Sequence, residues 1–223
     1  MRRPHIALLV ASVLLLVPAS ADAAFFGSSL TRAPNIALTC GTAIIRDQSN
    51  FAGGAVLAPT GQRTCTYRSV GILLGSLTTG SVVPGSGVIT SFSVRSGGNP
   101  APVRLTVMQG SPGLCCTAEK FSPVFRPRPN RITRFRVNMS VRVTGSVSPG
   151  IGRQVVDDYI GLTAVGPGTL PLRVQRGAGQ FNAGLWQSQS WWPRVTLNQP
   201  RNEDAYGMTG VELLLRWEWQ RRR

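Results

Sequence analysis

Histidine occurs once in the 223 residues, at His5, and lysine once, at Lys120. Acidic residues are scarce as well, nine against 24 Lys and Arg, and charged residues make up 15% of the chain. A typical soluble protein carries roughly 25%. Ser-His-Asp and Cys-His catalysis both need an imidazole, the one side chain that titrates near neutral pH without help. A histidine-ligated zinc site needs one too. A single lysine leaves little room for Schiff-base or Ser-Lys chemistry. Low charge density excludes a disordered polyelectrolyte, and glycines without a three-residue period exclude collagen. Gly and Pro, 25 and 16 residues, together make about 18% of the chain. Helix interiors do not tolerate that density, so a long bundle or coiled coil is excluded. A β-rich or loop-rich domain remains.

Long apolar runs are also missing, with one short exception. Met1-Arg2-Arg3 is followed by the apolar stretch Ile6 to Val17 and then by Pro18-Ala19-Ser20-Ala21-Asp22-Ala23. A basic start, about twelve apolar residues and a small-residue end describe a secretory signal peptide over residues 1–23. Cleavage is expected after Ala23, with Ala21 the second choice. The run is too short to span a hydrocarbon core of roughly 30 Å, so the mature chain is expected to hold no transmembrane segment. No Cys follows the run to take a lipid, and the C-terminal Trp219-Gln220-Arg221-Arg222-Arg223 has no hydrophobic tail. The protein is therefore expected to be secreted. Cleavage removes His5, Arg2, Arg3 and Asp22. The 24 basic residues fall to 22 and the nine acids to eight, a net charge of +14 with no histidine.

Four cysteines, Cys40, Cys65, Cys115 and Cys116, lie in the mature chain. An even number in an exported protein reads as disulfides. Three pairings are open. The favoured one joins Cys40 to Cys65 and leaves Cys115 and Cys116 as a vicinal bridge. The first closes a loop of about 25 residues, for roughly 3 kcal/mol in the chain-entropy model. A four-thiolate zinc site is disfavoured, because adjacent cysteines can hardly both ligate one tetrahedral ion. No metal and no cofactor is expected.

Short β-branched runs alternate with turn clusters along the rest. Strands are expected at residues 36–40, 63–67, 87–95, 103–109, 131–143, 159–165, 170–175, 192–197 and 211–219, with a loop around the paired cysteines. Breakers fall between them, among them Pro84-Gly85, Gly97-Gly98-Asn99-Pro100, Pro149-Gly150 and Gly166-Pro167-Gly168. In residues 134–143, Phe135, Val137, Met139, Val141 and Val143 alternate with Arg134, Arg136, Asn138, Ser140 and Arg142, which means one buried and one wet face. At the C-terminus Val211, Leu213, Leu215, Trp217 and Trp219 share a side, with Glu212, Arg216 and Glu218 opposite. About nine short strands with this punctuation predict an all-β fold, an antiparallel β-sandwich of jelly-roll type. The expected layout is a lead-in over 24–35, one sandwich domain over 36–219 and a basic tail over 220–223.

A Cys40-to-Cys65 segment is followed by Gly87 to Gly98 (Gly-Val-Ile-Thr-Ser-Phe-Ser-Val-Arg-Ser-Gly-Gly), Pro102 to Val107 and Asp158 to Leu162. That order resembles a group of uncharacterised secreted domains of high-GC Gram-positive bacteria, jelly-roll-like or carbohydrate-module-like. The resemblance covers roughly residues 36–219 and implies a sandwich fold and an extracellular place. It carries over no functional residue.

Candidate chemistry is thin. Glycoside hydrolysis needs two carboxylates facing one bond. The adjacent pairs Asp157-Asp158 and Glu203-Asp204 point to opposite faces if extended, and they read as turn residues. No Asp-x-Asp-x-Asp run suggests calcium. Two groups point to binding instead. Trp186, Trp191 and Trp192 fall within seven residues, with polar spacers and Pro193 after them, which suits an exposed loop able to stack on sugar rings. Arg126, Arg128, Arg131, Arg134, Arg136 and Arg142 crowd seventeen residues and create a positive field attractive to anions. No helix-turn-helix, zinc finger or RNP pattern points to specific nucleic-acid readout. The expectation is a secreted, non-catalytic module binding glycans or anionic wall polymers. The alternatives are a structural or adhesive surface subunit and, after it, a carbohydrate-active enzyme working without histidine.

Overall fold

The computed structural model describes residues 23–46, 55–59, 61–70, 83–111, 114–143, 158–174, 187–191, 205–209 and 211–222. The strands are β1 (Ala23–Gly27), β2 (Thr42–Arg46), β3 (Ala55–Pro59), β4 (Cys65–Val70), β5 (Gly87–Arg95), β6 (Val103–Ser111), β7 (Leu114–Phe121), β8 (Ile132–Val141), β9 (Asp158–Ala164), β10 (Leu172–Val174), β11 (Gln187–Trp191), β12 (Ala205–Thr209), β13 (Val211–Leu213) and β14 (Leu215–Arg221). There is no helix among the described residues, and every strand pair is antiparallel.

Two larger sheets carry the fold. One has the order β1-β14-β5-β8 and the other β12-β11-β4-β9-β6-β7. Eight of these strands (β1, β4, β5, β6, β7, β8, β9 and β14) make a double Greek key. The first lies beside the last, then the third and the sixth; the second lies beside the seventh, the fourth and the fifth. That is the jelly-roll arrangement. The remaining strands form a β2–β3 hairpin, a short β10–β13 pair, and an extension of the six-stranded sheet by β11 and β12.

The alternation legible in the sequence builds the space between the sheets. Ile89, Phe92, Val94, Met139, Val141, Leu215, Trp217 and Trp219 come from the four-stranded sheet; Tyr67, Val103, Leu105, Val107, Ile160, Leu162 and Ala164 come from the six-stranded one. Phe26 stacks on Trp217, with ring centroids 4.7 Å apart, and meets Trp219 edge-on at 6.4 Å. The Cys40–Cys65 disulfide is present, with both residues buried in this core. The side chains of Cys115 and Cys116 lie outside the described residues, so their pairing is not described; their backbone belongs to β7.

Several elements differ from the sequence expectation. Residues 36–40 bury Leu38 and Cys40 in alternation but form no ladder; the backbone bond from Leu170 N to Leu38 O, 2.7 Å, ties the segment down. The segment 24–35 is more than a lead-in, because Ala24–Gly27 complete β1 beside β14. The expected loop at the paired cysteines is the edge strand β7. The continuous last strand breaks at Leu214: β13 pairs with β10, whereas β14 enters the four-stranded sheet. Leu214 donates to Pro171 O and accepts from Arg95 N, so the chain changes sheets at that residue. The tail expected from 220 onward begins inside β14. The strand expected over 192–197 lies outside the described residues.

Candidate functional site

Strand β8 is an edge of the four-stranded sheet. Its Phe135, Val137, Met139 and Val141 face inward, and Arg134, Arg136 and Asn138 are exposed. A strap from Ser122 to Arg131 leads into it. Phe125 exchanges backbone hydrogen bonds with Val103 at 2.7 and 2.8 Å, and its ring packs on Phe92 and Phe135 at 5.6 and 4.7 Å. Ser122 N donates to Leu105 O, and Leu105 N donates to Ser122 Oγ. Asn130 takes a left-handed conformation, φ 54°, a region asparagine tolerates. It donates its N–H to Gly97 O, and Arg131 O accepts from Ser96 N. Arg126, Arg128 and Arg131 therefore stand exposed on an anchored strap, and Arg142 is exposed just beyond β8. All six arginines expected to make a positive field are at the surface.

The acids behave in the opposite way. Asp158, read as a turn residue, is the first residue of β9 and is 2% exposed. Its Oδ2 accepts from Arg142 N at 2.7 Å, and its backbone N–H donates to Arg142 O. Burial pushes its carboxyl up to about 6, and the charge of Glu119 adds to this; the Arg142 amide and the charges of Lys120 and Arg142 oppose it. Glu212 and Glu218, expected on the wet side of the last strand, are buried too. Glu212 accepts from Ser28 Oγ at 2.6 Å. Glu218 accepts from Ser91 Oγ at 2.7 Å and pairs with Arg134, which also donates from Nε to Ser91 Oγ. Among the described residues, ten arginines are exposed (32, 63, 126, 128, 131, 134, 136, 142, 221 and 222) and no carboxylate is.

Register places several residues on the outer face of the four-stranded sheet. One row across the strands reads Phe25, Glu218, Ser91, Arg136, and the next reads Gly27, Arg216, Ser93, Arg134. The Arg216 guanidinium lies 5.3 Å from the centre of the Phe25 ring, within cation–π range. Nothing in the sequence around Phe25 marks it, because its place on this face depends on pairing with a strand almost two hundred residues away.

The outer face of the six-stranded sheet carries buried polar groups. Thr66, Thr163 and Thr106 form a buried row of hydroxyls across β4, β9 and β6, with Oγ1 separations of 2.8 and 2.6 Å. Arg68 lies over the Tyr159 ring at 4.3 Å, and its burial lowers the guanidinium pKa, against the favourable influence of Tyr159. Part of the tryptophan-rich stretch belongs to this sheet. Gln187–Trp191 form β11, paired with β4 on one side and β12 on the other, so an exposed loop is not what these residues make. Trp191 pairs with Thr66 and Ala205. Trp186 and Trp192 lie outside the described residues, as do Asp157, Glu203 and Asp204.

No group of three His, Cys, Asp or Glu side chains able to hold a metal ion occurs among the described residues. No helix there is long and apolar enough to cross a membrane. Comparisons with protein-family models, with curated proteins and with solved structures found no match to this chain.

Proposed function

We propose that this protein is a secreted, non-catalytic binding module for anionic glycans or wall polymers, working through the arginine face along β8. The observation that carries the reading is the segregation of charge. Arginines crowd the surface of an anchored edge strand and its strap, while Asp158, Glu212 and Glu218 are drawn inward. A surface carrying one sign of charge raises the local concentration of a polyanion and speeds its encounter. Guanidinium groups suit carboxylate, sulfate and phosphate through paired hydrogen bonds. Arginines also keep an exposed edge strand from pairing with a neighbouring copy, which favours this reading over a self-assembling subunit. The buried Cys40–Cys65 bridge fits an oxidising compartment.

The test is retention on immobilised cell-wall polymer at rising salt, comparing the native protein with Arg128→Ser/Arg136→Ser. Binding should fall steeply with salt, and the double variant should bind about tenfold more weakly. Equal retention of the two proteins would defeat the proposal. Concentration-dependent assembly in the absence of polymer would point to a structural subunit instead.

A further inference from the structure

We infer that the outer face of the four-stranded sheet takes an acidic polysaccharide laid across its strands, one sugar ring against Phe25 and one anionic substituent at Arg136. The inference rests on the binding reading above and specifies the ligand class and the contact that reads it.

Phe25 is the most exposed large hydrophobic side chain among the described residues, at 59%. It shares a row with Glu218, Ser91 and Arg136, each directly opposite its neighbour in the ladder. The two central members are buried and both bond to Arg134, so the row presents an apolar ring at one end, the paired Arg134 at its middle and the Arg136 guanidinium at the other end. Three inter-strand spacings, about 14 Å, separate the two strands. A ligand spanning that row must offer an apolar face at one end and a negative charge at the other. The C–H faces and carboxylates of a uronic-acid chain do so; a bare polyanion does not.

The ring is held in place before any ligand arrives. Arg216 lies over it, and β1 is clamped at its end. Gly27 adopts φ +95°, Ser28 N donates to Leu215 O at 2.8 Å, and Ser28 Oγ links Glu212 to the backbone N–H of Leu30. Single-stranded nucleic acid also alternates stacking and charge, but its sites present several rings for successive bases. Among the residues whose side chains are described, the exposed large hydrophobics are Phe25, Val124 and Ile132, and Phe25 is the one exposed ring of that set.

The experiment compares the native protein, Phe25→Ala, Phe25→Trp and Arg128→Ser/Arg136→Ser on three probes: polygalacturonate, poly-L-glutamate of matched charge, and oligo-dT. For Phe25→Ala, binding to polygalacturonate should weaken about tenfold, the size of one aromatic contact, while poly-L-glutamate binding stays unchanged. Phe25→Trp should restore or improve the polygalacturonate signal. Equal binding by Phe25→Ala and native protein on polygalacturonate overturns the inference. So does a Phe25 effect confined to oligo-dT. If the arginine variant binds every probe as the native protein does, the charge reading itself fails, whatever Phe25 shows. Because Phe25 is exposed, its variants should keep the native melting temperature, and a lowered one in Phe25→Ala without restoration in Phe25→Trp counts against the contact.

Discussion

Asp158 is a carboxyl whose surroundings favour the proton. It is buried at the start of β9, and its pKa rises from 3.8 to about 6. The folded state therefore binds a proton more tightly than the unfolded chain. The stability this gives is full below about pH 3.8 and is lost as pH rises through about 6. Asp158→Asn keeps an oxygen to accept from Arg142 N and removes the charge. At pH 7 the variant should be more stable than the native protein by about 1–2 kcal/mol, with the difference shrinking towards pH 4. Urea titrations at the two pH values test this; a variant less stable at pH 7 would show that the ionised carboxylate is needed. From the sequence, Asp157-Asp158 looked like a turn, because two adjacent acids ordinarily mark one. The second is instead bonded to Arg142, just beyond β8, a long-range contact that no local pattern records.

At the scale of elements, the most legible strands are those with one wet face. Residues 87–95 match β5, and the alternation from Arg134 onward marks β8 because inward Phe and Val contrast with outward Arg. Legibility fails where both faces are covered or where the strand is short. In β4, β9 and β6 the outward Thr66, Thr163 and Thr106 are as buried as their inward neighbours, so polarity alone does not reveal which way they point. β7 is masked by its pair of cysteines and β11 by its Gln and Ser residues, both of which carry turn-like chemistry in isolation. The break at Leu214 is invisible because Val211 to Leu215 are all buried. β1 is the clearest omission, and its attachment is open to test. A Cβ at Gly27 would come within 2.3 Å of Leu215 O, at a φ that L residues rarely adopt. Gly27→Ala should destabilise the protein by about 2–3 kcal/mol and expose β1 to protease. Unchanged denaturation and proteolysis would mean that β1 is held elsewhere.

At the scale of the whole molecule, a jelly roll closes its core with two facing sheets, and the Cys40–Cys65 bridge ties the segment before β2 to the first residue of β4 within that core. The bridge spans 25 residues, and replacing both cysteines with alanine should lower stability by about 3 kcal/mol. The same shift should follow reduction of the native protein; no change in either would remove the bridge from the account of stability. The arginine face was legible as composition, since six arginines in seventeen residues stand out in any reading. Its partner on the sheet was not, since Phe25 joins Arg136 through two intervening strands.

Lys120 is the only lysine in the sequence, and its Nζ donates to Ser140 O at 2.8 Å and Ser140 Oγ at 2.7 Å, joining β7 to β8. Amine-directed chemistry thus has one internal target, and that target fastens the seam between the two sheets. Coupling the protein to a resin or a dye through amines would modify either the chain terminus or this fastening. Attachment through engineered thiols at another surface would leave the seam intact.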